Sequence, residues 1–197
     1  LVVEPTKWLA VEALALRKPL TGVGRYTANI LRQLLELHPD LGLELFVLGS
    51  SDIDTEALLG SSHDSSRLRL HRRAKLSARV YRAALSFGVA PRVEWIFPGM
   101  RHACGLFYPN FVRYPTRLKV PEVVVLYDAT FRVFPEDKSG WFRFGWSRLT
   151  QKSLDSPALC VTISASAGHD IEECFEVSEP LPILYPGREL KCAQAPA

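Results

Sequence analysis

The chain predicts an α/β domain built on a doubly wound, mostly parallel sheet with helices on both faces. Two observations predict it. Strand-like and helix-like segments alternate along most of the 197 residues, the pattern of repeated strand–helix–strand units. Val123–Tyr127 and Ala158–Ile163 are near-continuous apolar runs rich in β-branched residues, as expected of strands covered on both faces. The length suits one sizeable domain and is too short for two full ones.

Taken in order, Leu1–Val3 is a short apolar start, read as a clipped strand, and Trp8–Leu16, apolar and alanine-rich, reads as a helix or an ordered insertion. Thr21-Gly22-Val23-Gly24 is a turn of small residues. Arg25–Leu37 follows as a helix, because Tyr26, Ile30, Leu31, Leu34 and Leu35 fall on one face at a 3.6-residue period and Pro39 ends it. Leu43–Leu48 is a strand, Gly49–Asp54 its turn, and Ser61–Ser66 a polar loop. Arg67–Leu70 reads as a short strand, Lys75–Phe87 as a basic amphipathic helix, and Gly105–Tyr108 as a strand stopped by Pro109. Trp141–Leu154 and Ala165–Phe175 are helices, the second behind Ser164, a favoured N-cap residue. Leu181–Tyr185 is the last strand, before Pro186-Gly187. The domain is read as residues 1–187. Arg188–Ala197 has few structural cues and reads as a tail or a linker.

No run approaches the roughly 18 apolar residues that span a bilayer, and no secretory leader is read, although the chain opens on Leu1 rather than Met. None of the four cysteines, Cys104, Cys160, Cys174 and Cys192, belongs to a C-x-x-C pair. They read as reduced thiols of a cytoplasmic protein. The net charge of +3 is too small to imply nucleic acid. The charge is uneven, however: Arg67, Arg69, Arg72, Arg73, Lys75, Arg79 and Arg82 occur in a stretch with no Asp or Glu. That stretch reads either as a solvated face or as a patch for an anionic membrane surface, which would make the protein peripheral at the inner face of the membrane. No nucleic-acid-binding motif accompanies it.

Ligands of doubly wound sheets sit at the carboxyl ends of strands. Three features are expected there: the glycine turn, Asp128 after Tyr127, and Ser164 after Ile163. Glycines let backbone approach a ligand, and a helix N-terminus offers free N–H groups to an anion. The full dinucleotide fingerprint fails, because Thr27 stands where its third glycine belongs. Asp52-Ile53-Asp54 has the form of a divalent-metal motif. It is set off from its strand by Gly49-Ser50-Ser51, and no metal site is assigned to it.

Thr21–Leu31 resembles the glycine-rich loop and first helix of the family-four retaining glycosyltransferases, which have the GT-B fold. Tyr108-Pro109-Asn110, Val123–Pro135, Val161–Ile171 and Ile183–Gly187 continue the resemblance, in the family's order and at compatible spacing. It implies a Rossmann-like acceptor domain, one half of a GT-B architecture, facing a second Rossmann-like domain. Sugar would pass from a nucleotide-sugar to a glycan or lipid-linked acceptor with its configuration retained, without metal or cofactor. Gly22, Val23, Gly24 and Arg25 would lie near the donor phosphates, Asp128 and Tyr127 at the reacting centre, and Asn110, Ser164 and Asp170 on the acceptor side of the cleft. Lipid-linked acceptors are common in the family, which strengthens the membrane reading.

The departures are specific. The family's usual His-Asp pair is Tyr127-Asp128 here, and a tyrosine does not titrate near neutrality. Asp128 is therefore the residue expected to orient a hydroxyl or accept a proton. Its other reading is a cap on the following turn. The family's second serine is Ala167, whereas Asp170 matches; Ser164 and Asp170 also suit the N-terminus of a helix. The glutamate pair that the resembled family carries in its second domain has no counterpart here. The chain alone is expected to be inactive and to bind nucleotide-sugars weakly. The alternative is a non-catalytic binding or scaffolding domain; an ordinary nucleotide-binding Rossmann domain is disfavoured by Thr27.

Overall fold

The computed structural model describes residues 4–59, 65–134, 136 and 139–187. Leu1–Val3, most of the Ser61–Ser66 loop, Pro135 and the 188–197 tail lie outside the described residues.

Six strands form one sheet in the order β3-β2-β1-β4-β5-β6. They are β1 (Lys7–Glu12), β2 (Leu41–Leu48), β3 (Leu68–Arg73), β4 (Gly105–Tyr108), β5 (Glu122–Leu126) and β6 (Leu159–Thr162). Every neighbouring pair is parallel. This is the doubly wound order of Rossmann-like folds, and it reverses direction between β1 and β4. The helices are α1 (Gly22–Leu37), α2 (Glu56–Leu59), α3 (Ala78–Ser86), α4 (Val93–Ile96), α5 (Thr130–Val133), α6 (Gly140–Leu154) and α7 (Ala165–Phe175).

Strand side chains alternate between two cores, as a period of two requires. Ala10, Phe46, Leu48, Leu106, Tyr108, Val124, Leu126 and Cys160 join Tyr81 and Leu85 of α3, Leu149 of α6 and Ile171 and Phe175 of α7. Val11, Leu43, Leu45, Val47, Phe107, Val125 and Val161 join Ala28, Leu31 and Leu35 of α1. Both faces of the central strands are therefore covered, which explains the unbroken apolar runs, whereas the edge strand β3 has no buried residue.

Four expectations change in detail. Trp8–Leu16 is not a helix. Its first half is β1 and its second a 3-10 turn at Leu14–Leu16. The small alanines there fit a strand covered on both sides, which periodicity alone does not distinguish from a helix. The glycine turn is the opening turn of α1, with Thr21 as N-cap accepting from the Gly24 N–H. The basic helix begins at Ala78, behind Ser77, and leaves Lys75 outside. Leu181–Tyr185 makes only a single bridge, Ile183 to Thr162.

Candidate functional site

The crevice expected of this topology lies beyond the carboxyl ends of β1 and β4, where the winding reverses. The residues expected there lie on four segments, each of which follows the carboxyl end of a strand.

The first is the link from β1 into α1. The chain leaves β1 at Glu12, turns through Leu14–Leu16, and enters α1 behind Thr21. The two glycines of that entry do different things. A Cβ on Gly24 would meet the Ala15 carbonyl oxygen at 2.6 Å, so this glycine lets α1 pack onto the preceding turn. A Cβ on Gly22 would meet nothing within 4 Å, and Gly22 is exposed. The Gly24 N–H is taken by the Thr21 hydroxyl and the Arg25 N–H by the Thr21 carbonyl. The Gly22 and Val23 N–H groups make no hydrogen bond among the described residues and lie at the positive end of a 16-residue helix. Arg25 is exposed beside them and makes no ion pair among the described residues. Thr27, where a dinucleotide site would have glycine, is fully buried and donates to the Val23 carbonyl at 2.8 Å.

The second segment follows β4. Asn110 is half-buried. Phe111 has φ +62°, a left-handed conformation unusual for a bulky residue. The loop is pinned in that shape. The Phe111 N–H donates to Val125, its carbonyl accepts from Ser153, and Arg113 forms a two-point ion pair with Glu122 at 2.6 and 2.7 Å. A bidentate guanidinium–carboxylate pair fixes orientation as well as distance.

The third segment follows β5. Tyr127 and Asp128 are neighbours with opposite fates. Tyr127 is 7% exposed and packs in the core against Tyr26, ring centroids 5.6 Å apart, and Phe111, 5.5 Å apart. Burial pushes its phenol well above the ordinary range. Its hydroxyl lies beside Thr27 without completing a hydrogen bond. Asp128 is partly accessible. Its Oδ1 accepts from the Thr130 N–H at 3.0 Å and the Thr130 hydroxyl at 2.8 Å, which closes the turn into α5. Both readings of Asp128 thus have a physical basis: one oxygen caps, and the carboxylate still faces solvent. The Tyr26–Tyr127 contact brings α1, one turn after Gly22, against the residue before Asp128.

The fourth segment follows β6. Ser164 caps α7, accepting from the Ala167 N–H at 3.2 Å. Asp170 sits in the second turn of α7, past the first-turn positions where an acid complements the helix dipole. The Leu184 carbonyl accepts from the Tyr26 hydroxyl at 2.7 Å, tying the Ile183–Gly187 segment to α1.

Sequence reasoning gave Glu12 no role, because its segment read as a helix or an ordered insertion and its eight-residue spacing from Glu4 read as chance. It ends β1, 3% exposed, and accepts from the Leu14 N–H at 3.2 Å. Burial holds its carboxyl above the ordinary glutamate value, opposed by the nearby Arg82 guanidinium. Arg82 Nε and Nη2 and the Tyr114 hydroxyl, all beside it, are buried without hydrogen-bond partners among the described residues. An acid closing an apolar run was the available signal.

Asp54 Oδ1 accepts from the Ala57 N–H at the start of α2, which assigns this acid a local capping role. Among the described residues no group of three or more His, Cys, Asp or Glu side chains is placed to hold a metal ion. No described helix is long and apolar enough to cross a membrane. No protein-family model matches the chain, and no curated protein matches it. What stands without them is the fold: an α/β domain with a six-stranded parallel sheet in Rossmann-like order.

Proposed function

We propose that this chain is the acceptor-side half of a retaining glycosyltransferase of the GT-B kind, moving a sugar from a nucleotide-sugar to a glycan or lipid-linked acceptor. The reading rests on the resemblance of Thr21–Leu31, Tyr108–Asn110, Val123–Pro135, Val161–Ile171 and Ile183–Gly187 to that family. One observation supports it most: the open helix end at Gly22–Val23 and the accessible carboxylate of Asp128 belong to the same carboxyl edge of the sheet, joined through the Tyr26–Tyr127 contact.

In this reading the Gly22 and Val23 N–H groups face donor phosphate oxygens, helped by Arg25. Asp128 Oδ1 stays bonded to Thr130, which fixes the carboxylate so that it can accept a hydrogen bond from an acceptor hydroxyl. Asn110, on its pinned loop, holds a further hydroxyl. Ser164 and Asp170 border the acceptor side. A second Rossmann-like domain supplies most donor contacts, so the chain alone binds saccharide better than nucleotide-sugar.

The experiment is a binding titration of the chain with oligosaccharides and nucleotide-sugars. Saturable saccharide binding, weakened about tenfold by Asp128→Asn through loss of a charged hydrogen bond, is the expected result. Micromolar nucleotide-sugar binding by the chain would place the donor site wrongly, and binding of a dinucleotide in preference to any saccharide would replace the reading.

The burial of Tyr127 favours a second reading, a non-catalytic glycosyltransferase-like binding domain. Its side chain is turned into the core and offers the cleft no proton donor. Saccharide binding with no transfer by the complete protein, under any nucleotide-sugar, would select it.

A further inference from the structure

The basic stretch Arg67–Arg82 is not one free patch. Arg67 donates to the carbonyls of Leu35, His38 and Leu41 and so closes the end of α1. Arg69 stacks 3.6 Å over Trp8 and pairs with buried Glu44. Arg73 donates to the Ile96 carbonyl, and Arg82 turns inward over Trp146. These four cations are committed to the fold.

The exposed charge lies instead beside an exposed aromatic surface. Helices α3 and α6 pack side by side, with Arg148 and Lys152 of α6 donating to the Ser86 and Leu85 carbonyls of α3. Together the two helices carry five basic residues and no acidic one. Their outer side presents a run of rings in contact. Phe87, 60% exposed, lies 6.4 Å from Trp141, 71% exposed, which stacks 6.0 Å from Phe144. Arg148 sits over Phe144, and Val80 and Arg79 stand exposed on α3. Exposed aromatic side chains in mutual contact are not what a solvated face needs.

We infer that this α3–α6 face docks on an anionic lipid bilayer, with Phe87, Trp141 and Phe144 entering the headgroup region and Arg79 meeting lipid phosphates. The charge selects the occupant. Two helices that carry cations and no acid beside an apolar centre complement a surface that is anionic above and apolar beneath. Tryptophan is the side chain most at home at that boundary. The inference does not depend on the glycosyltransferase reading.

The test is flotation with phosphatidylcholine vesicles, with and without about one quarter phosphatidylglycerol, across a salt series. Flotation with the anionic vesicles only, lost at high salt, is expected. The double variant Phe87→Ser, Trp141→Ser should lower partitioning by about tenfold or more, and Arg79→Glu by about fivefold. Leu37→Ser, which removes an equally exposed apolar residue from α1 on the other side of the sheet, should change nothing. Thermal melts confirm that all variants fold. Equal flotation of the wild type and the aromatic variant would overturn the proposal. So would the absence of flotation, or a concentration-dependent dimer that the aromatic variant dissolves, which would make the face a contact between copies.

Discussion

The carboxyl ends of β1 and β5 are separated by one strand, yet they treat acids in opposite ways. At the end of β1, Glu12 is sealed in, with its carboxyl raised by burial and with Arg82 and Tyr114 atoms beside it that have no hydrogen-bond partner among the described residues. At the end of β5, Asp128 is accessible and one of its oxygens is fully bonded by Thr130. A bonded, accessible carboxylate is available to a ligand without cost to the fold. A sealed one costs stability and is kept in place by what surrounds it. Under the proposed function, the difference suits Asp128 to binding a ligand and Glu12 to a structural role at the end of β1.

The largest effect expected comes from the helix entry that roofs both ends. Gly24→Ala forces a methyl against the Ala15 carbonyl and should cost about 2 kcal/mol or more. Gly22→Ala meets open space and should leave stability within about 1 kcal/mol, on the stabilising side. Urea denaturation of the pair measures both. Equal destabilisation would mean that Gly22 is also packed, and the opening at the α1 N-terminus would not exist. If that opening holds a ligand, Gly22→Ala should weaken ligand binding while leaving the fold intact.

Glu12 sharpens the comparison through pH. Its folded-state value is raised above the ordinary 4.5 by burial. The folded chain therefore keeps a proton that the unfolded chain releases, and its contribution to stability is lost as pH rises from about 4.5 through the raised value. Glu12→Gln removes that slope and keeps an acceptor for the Leu14 N–H. The melting temperature of the variant should overtake the wild type's as pH increases, with the gap widest at neutral pH. A gap that widens towards acid would show that Glu12 is held ionised by Arg82.

Most of the fold was legible. The β-branched runs at β5 and β6 and the periodic face of α1 announce themselves, because strands buried on both sides and helices buried on one leave distinct patterns. β1 did not, because Ala10, Ala13 and Ala15 fit a tight strand and turn as readily as a helix. Losing β1 as a strand also hid Glu12. The placement of the candidate residues Gly22, Asp128 and Ser164 was legible in the polar punctuation, since they follow strands or open helices. It was not legible in its division of labour. Nothing in the spacing Gly22-Val23-Gly24 says which glycine is packed, and Tyr127 faces inward only because β5 alternates, putting it on the α1 side with Val125. The basic stretch misled for the same reason: a run of arginines does not reveal that Arg67, Arg69, Arg73 and Arg82 each find a partner within the fold.

The smallest structural effect should come from Asp128→Asn. An asparagine oxygen can still accept from Thr130, so stability should change by no more than about 1 kcal/mol. Ligand binding should nevertheless fall about tenfold. In a complete, active enzyme the same change should lower turnover by about a hundredfold or more, the scale of a positioned acid–base group. An unfolded variant would make Asp128 a cap and nothing else.

The most direct test is to map amide chemical shifts of the isotopically labelled chain during a titration with an oligosaccharide that binds. The largest shifts are expected at Asn110, Asp128 and Ser164, along the carboxyl edge of β4, β5 and β6, with smaller ones at Gly22 and Val23 on the donor side. Shifts concentrated in the groove between α1 and Leu184–Gly187, or at the amino ends of the strands, would contradict it.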